Sequence, residues 1–173
     1  MKKTFSSRLL IILTASVTLF SCSKSSTTPD NSSPGITATF DGSEKTFTTS
    51  SIASKSNLSP GIWSLTIIAT SSSETLSISL WSEKDDFTAG KTYGISALGG
   101  TTYNTLTFGP TSGSEEWFSI YPYATVTESF TCTITEVASD HIKGTFSGSV
   151  YKNAGPPSLK KEVTKGTFYA KFI

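Results

Sequence analysis

After Arg8 the 173-residue chain has no arginine, and it holds a single histidine and two cysteines. Each scarcity excludes something. Nucleic-acid binders draw most of their affinity from clustered Lys and Arg that neutralise phosphates, so nucleic acid is not an expected partner. One histidine and a cysteine cannot build a standard structural zinc site. Charge is scarce too: only 16% of residues are charged, with a formal net charge of +1. No apolar run approaches the roughly 20 residues of a spanning helix. After position 22 no stretch keeps helical spacing for ten residues or more. What is abundant is hydroxyl: 31 Ser and 28 Thr, together with 12% aromatic residues. That mixture favours strands.

The longest apolar run, Leu9–Phe20, follows Lys2, Lys3 and Arg8. At twelve residues it would rise about 18 Å as a helix, short of a roughly 30 Å hydrocarbon core. Residues 1–21 therefore read as a signal peptide. Leu19-Phe20-Ser21-Cys22 resembles the bacterial lipobox, with Phe20 departing from the usual small or aliphatic residue. The resemblance implies cleavage before Cys22, lipidation of its thiol, and a membrane as partner through that lipid. Two or more acyl chains anchor firmly where one does not. Without the leader the chain has 11 Lys against 13 Asp plus Glu, a balance of −2. The expected location is the cell envelope, at the outer membrane, on either its periplasmic or its surface side.

Residues 22–35 hold the lipidated Cys and a Ser/Thr/Pro tether (SKSSTTPDNSSPG) without a hydrophobe. A single domain is expected over 36–173. Its period-2 patterning places strands at Ile36–Phe40, Lys45–Ile52, around Trp63–Ile67 and Leu76–Leu80, at Thr92–Ile95, Thr102–Phe108 and Glu116–Tyr121. Asp41-Gly42 reads as a hairpin turn. A C-terminal hairpin joins Phe130–Ile134 to Ile142–Val150 through Ala138–Asp140, and a last strand carries Phe168, Ala170 and Phe172. Trp63 and Trp81 each continue an apolar face and are expected in the core. The fold class is all-β: an antiparallel β-sandwich of about 8–10 short strands, or a closed or partly open antiparallel β-barrel.

Four segments stand out as a set: Ile36-Thr-Ala-Thr-Phe-Asp-Gly42, Phe87-Thr-Ala-Gly-Lys-Thr-Tyr93, Ile142-Lys-Gly-Thr-Phe146 and Val163-Thr-Lys-Gly-Thr-Phe168. With Cys22 they resemble small all-β lipoproteins of unknown function from Bacteroidota. The resemblance implies fold and location and carries no activity. Gly144 and Gly166 read as sites of a bulge or of close backbone approach.

Little in the chain points to catalysis, and no cofactor, metal site or catalytic residue is expected. His141 abuts a turn, while Cys132 lies up the opposite arm in phase with Phe130 and Ile134, as a small core residue would. Glu83, Asp85 and Asp86 share a loop but lack a calcium-loop pattern. Glu115-Glu116 would point to opposite faces of a strand. The segment with functional character is Trp117-Phe-Ser-Ile-Tyr-Pro-Tyr123. If extended, it sets Trp117, Tyr121 and Tyr123 on one face, where aromatic rings can stack on sugars; alternatively they pack in the core. The expected function is a non-catalytic binding or adhesion module, with glycan as the favoured ligand. Alternatives are a structural envelope protein acting through protein association and a barrel holding a small lipophilic ligand. A hydrolase with carboxylates on separate strands ranks last.

Overall fold

Thr, β-branched and aromatic residues in alternation fill a pleated surface well. The computed structural model describes residues 33–98, 102–112, 115–120, 130–153 and 159–173, and among these it contains strands but no α-helix. In chain order the strands are β1 Gly35–Phe40, β2 Ser43–Phe47, β3 Ser50–Ser59, β4 Ile62–Thr70, β5 Glu74–Ser82, β6 Thr92–Gly94, β7 Ser96–Ala97, β8 Thr102–Tyr103, β9 Thr105–Pro110, β10 Trp117–Phe118, β11 Thr131–Val137, β12 His141–Lys152 and β13 Lys160–Phe172. Strands β7 and β8 pair with each other, and the other 11 form one sheet.

That sheet folds into two layers, β2-β1-β13-β12-β11-β6 and β3-β4-β5-β9-β10. Two corners join them. At one, Lys171 and Phe172 of β13 run past β1 and pair with Ile52 and Ala53 of β3, the one parallel pairing among the described residues. At the other, Tyr151 and Lys152 of β12 run past β11 and pair with Phe118 and Trp117 of β10. Hydrogen-bonded neighbours thus form a circuit, β13–β3–β4–β5–β9–β10–β12 and back to β13. The all-β fold is a sandwich closed at two corners, which also makes it a partly closed barrel.

Period-2 alternation sends Leu65, Ile67 and Ala69 of β4, Leu76, Ile78 and Leu80 of β5, and Ile36, Ala38 and Phe40 of β1 into one core. Phe40 and Phe47 meet Phe108 from the opposite layer, with ring centroids 4.5 and 6.2 Å apart. Two expectations need correcting. Lys45–Ile52 is not one strand: β2 ends at Phe47, β3 begins at Ser50, and the chain crosses between layers there. Trp81 is not a core residue. Leu76, Ile78 and Leu80 point inward, so the next position points outward, and Trp81 lies half-buried opposite Ser64. Trp63 keeps the core face but is only partly buried.

The C-terminal hairpin is as its alternation predicts, with Val137 opposite Ile142. Its return arm and the last strand carry the same tetrapeptide, Lys143-Gly-Thr-Phe146 and Lys165-Gly-Thr-Phe168. Antiparallel pairing superposes the two as a local two-fold: Gly144 faces Phe168, Thr145 faces Thr167, and Phe146 faces Gly166. Each phenylalanine ring covers the glycine opposite it. A Cβ on Gly144 would lie 2.3 Å from Phe168 Cζ, and one on Gly166 2.5 Å from the Phe146 carbonyl oxygen. On the outer side the register aligns Thr46, Thr37, Thr167, Thr145, Thr133 and Thr92, one from each strand of the first layer. Hydroxyl–hydroxyl bonds of 2.8 Å link Thr37 with Thr167 and Thr92 with Thr133. Part of the threonine content is therefore an outward-facing band across this layer.

Candidate functional site

Where β12 leaves β11 for β10, the two layers part around a cleft of ≈ 320 Å³, near the lower end of the roughly 300–1,000 Å³ typical of ligand pockets. Its apolar wall is built by one cross-strand pair. Trp117 on β10 lies directly opposite Phe108 on β9, so both side chains project from the same sheet face. Gly109 allows the approach. A Cβ there would come within 2.9 Å of the Glu115 carbonyl oxygen, so only glycine lets the chain return this closely beside β9. Phe108 is buried, whereas Trp117 is half-buried against the core.

The charged lining comes from both layers, Lys45 of β2, Glu74 of β5, Glu115 and Lys161 of β13, and Gly109 and Pro110 complete it. Lys45 Nζ donates to both carboxylate oxygens of Glu74 at 2.8 Å and lies 5.2 Å from the Phe108 ring centroid. Lys152 donates to Glu115 at 2.5 Å, and that hydrogen bond, reinforced by the lysine's charge, holds the Glu115 carboxyl below its usual range. The Lys161 ammonium stands 4.6 Å from the Trp117 ring centroid. Its carboxylate neighbour, Asp41 Oδ2, is 3.8 Å away, while Asp41 Oδ1 accepts the Glu162 backbone N–H at 2.8 Å.

Of the aromatic face expected over 117–123, Trp117 is at this cleft. Tyr121 and Tyr123 lie outside the described residues, as does Cys22. Ser119 is buried, and its hydroxyl accepts the Leu106 backbone N–H at 2.9 Å, so it serves the sheet rather than the cleft. No local pattern marks Phe108, Lys45, Glu74 or Lys161 as companions of Trp117. They come from four strands: β9 and β5 reach Trp117 through neighbouring ladders, and β2 and β13 come from the other layer.

The other candidates separate. Cys132 pairs with Phe146, five residues along β12 from His141, roughly 17 Å at strand rise. Its side chain is buried, and burial pushes the thiol up to about 12. His141 is not simply solvated. Its Nε2 lies 2.7 Å from Glu136 Oε1 and its Nδ1 2.7 Å from Asp140 Oδ1, with the ring edge-on to Tyr169. Hydrogen bonds first to Glu136 and then to Asp140 raise its pKa above the ordinary value. In the acidic loop, Asp85 bonds Lys55 at 2.8 Å, while Asp86 bonds Ser82 at 2.7 Å and also Lys91. Among the described residues no group of three or more His, Cys, Asp or Glu side chains is placed to hold a metal ion. No family model, curated protein or solved structure matches this chain.

Proposed function

We propose that this chain is a lipid-anchored, extracytoplasmic binding module without catalytic activity, and that its end cleft takes a glycan. The observation behind this reading is the pairing of a half-buried tryptophan with a rim of charged side chains around ≈ 320 Å³ of space. Pyranose rings offer apolar C–H faces to an indole and hydroxyls to surrounding donors and acceptors. Lys45 with Glu74 at the cleft, and Glu115 with its partner Lys152, supply both kinds of partner beside Trp117. The same carboxylates suit binding better than hydrolysis. A glycosidase needs one carboxyl whose pKa is raised so that it can protonate the leaving oxygen. Here Glu115 is displaced downward, and both oxygens of Glu74 are occupied by an ammonium.

The test is a fluorescence titration of the full chain against neutral and acidic oligosaccharides, repeated with Trp117→Ala. A saturable change that disappears in the still-folded variant is expected. A flat response across the whole panel would refute the glycan reading. Anchoring is tested separately: Cys22→Ala should move the protein from the membrane fraction to the soluble fraction, and an unchanged distribution would refute lipidation.

A further inference from the structure

We infer that the ligand of this cleft is an acidic sugar, a hexuronate unit whose ring lies on Trp117 and whose carboxylate is taken by Lys161; this deepens, and rests on, the glycan reading above. The two lysines that line the cleft, Lys45 and Lys161, and the Lys152 that holds Glu115 are not equivalent. Lys45 is held by both oxygens of Glu74 at 2.8 Å, and Lys152 by Glu115 at 2.5 Å. Lys161 is held more loosely: among the described residues its carboxylate partner is Asp41, whose Oδ2 stands 3.8 Å away and whose Oδ1 accepts a backbone N–H. The indole face at 4.6 Å holds the Lys161 ammonium over the cleft.

That position discriminates among ligands. Any ring that stacks on this face of Trp117 must push the ammonium aside. A neutral sugar does so with no replacement for the lost cation–π contact. A uronate replaces it with a charge-assisted hydrogen bond between its carboxylate and the displaced Lys161, the stronger of the two interactions. Glu74 and Glu115 would repel a carboxylate placed near them, but each is already neutralised by its own lysine. The acidic group is therefore directed to the Lys161 side of the cleft.

The experiment titrates the full chain with galacturonate oligomers and with neutral galactose oligomers of the same length, for the wild type, Lys161→Gln and Trp117→Ala. The wild type should prefer the uronate by about tenfold or more, and the preference should weaken as salt is added. In Lys161→Gln it should shrink to about twofold or less, with neutral-oligomer binding unchanged or up to about fivefold tighter as the cation leaves the ring. Equal binding of both oligomers, or a preference that survives Lys161→Gln, overturns the inference and leaves the glycan reading standing. If neither oligomer binds the wild type, the inference falls; if the wider panel is also silent, the glycan reading falls with it.

Discussion

Gly144→Ala perturbs the tightest approach at any glycine among the described residues. The added methyl would sit 2.3 Å from Phe168 Cζ and 2.4 Å from the Thr133 carbonyl oxygen, where carbon contacts settle near 3.5 Å. Neither neighbour yields freely. Phe168 is fully buried, and Thr133 belongs to β11, whose pairing with β12 holds its backbone in place. Relief therefore needs a shift of about 1 Å in both a core ring and a ladder strand, in the upper part of the roughly 1–3 kcal/mol range for overpacking. Alanine returns about 0.4–1 kcal/mol by restricting the unfolded chain. The net loss should be about 2 kcal/mol, lowering Tm by roughly 5–10 °C for a domain of this size. Gly166→Ala should behave alike, since its methyl would meet the Phe146 carbonyl oxygen at 2.5 Å. Urea titration and thermal melts by circular dichroism measure both, with an unchanged m-value marking a stability effect. A Gly144→Ala variant within about 0.5 kcal/mol of wild type, the range of an ordinary surface change, would refute the reciprocal Gly–Phe packing.

Two further outcomes are expected. In a Cys22→Ala chain the remaining thiol, Cys132, is buried and raised to about 12, so a disulfide reagent should label it only at the rate of global opening; free-thiol rates under native conditions would contradict its burial. The His141 clasp should shape the pH profile. Its folded pKa lies above the ordinary 6.5, so its contribution is full below that value and is lost as pH rises through the higher folded one. Glu136 and Asp140 are lowered first by their hydrogen bonds to His141, so their contribution holds above the ordinary 4.5 and 3.8 and is lost as pH falls through the folded values. Tm measured from about pH 6 to about pH 9 should decline less in His141→Gln than in the wild type, and parallel curves would refute the clasp.

How much of this was legible beforehand depended on the range of each interaction. Strand alternation is local, and it placed Leu76, Ile78 and Leu80 on one face of β5 and the hairpin turn between Val137 and His141. It misled at Trp81, where an apolar side chain next to an apolar face was read as part of it although one position of offset reverses its direction. The Thr-rich run Lys45–Ile52 carried no turn signal, so the crossing at residues 48 and 49 was invisible. Asp41-Gly42 was legible because an Asp-Gly pair suits the left-handed geometry it adopts, with φ of 47° and 85°. The cleft was the least legible part. Trp117 was singled out by its own chemistry, but Phe108, Lys45 and Lys161 join it through pairing and closure, and no local pattern encodes which strands a sheet brings together. The repeated Lys-Gly-Thr-Phe was plainly visible in the chain, yet its meaning emerged only when the two copies were found facing each other.

The position of β13 bears on when the domain can assemble. It neighbours β1, β12 and β3 at once, and it follows all of them in sequence. The Thr37–Thr167 bond alone spans 130 residues. Until β13 arrives, the β1–β2 hairpin has no backbone ladder to the rest of the sheet, and it meets the β3–β4–β5–β9 meander through side chains alone. Folding should therefore be slow and gated by one late, long-range event. A chain that stays open until its closing strand is available remains threadable, as export across a membrane in the proposed setting would demand. Once closed, β13 is held by three partners at once and can leave only by releasing all of them.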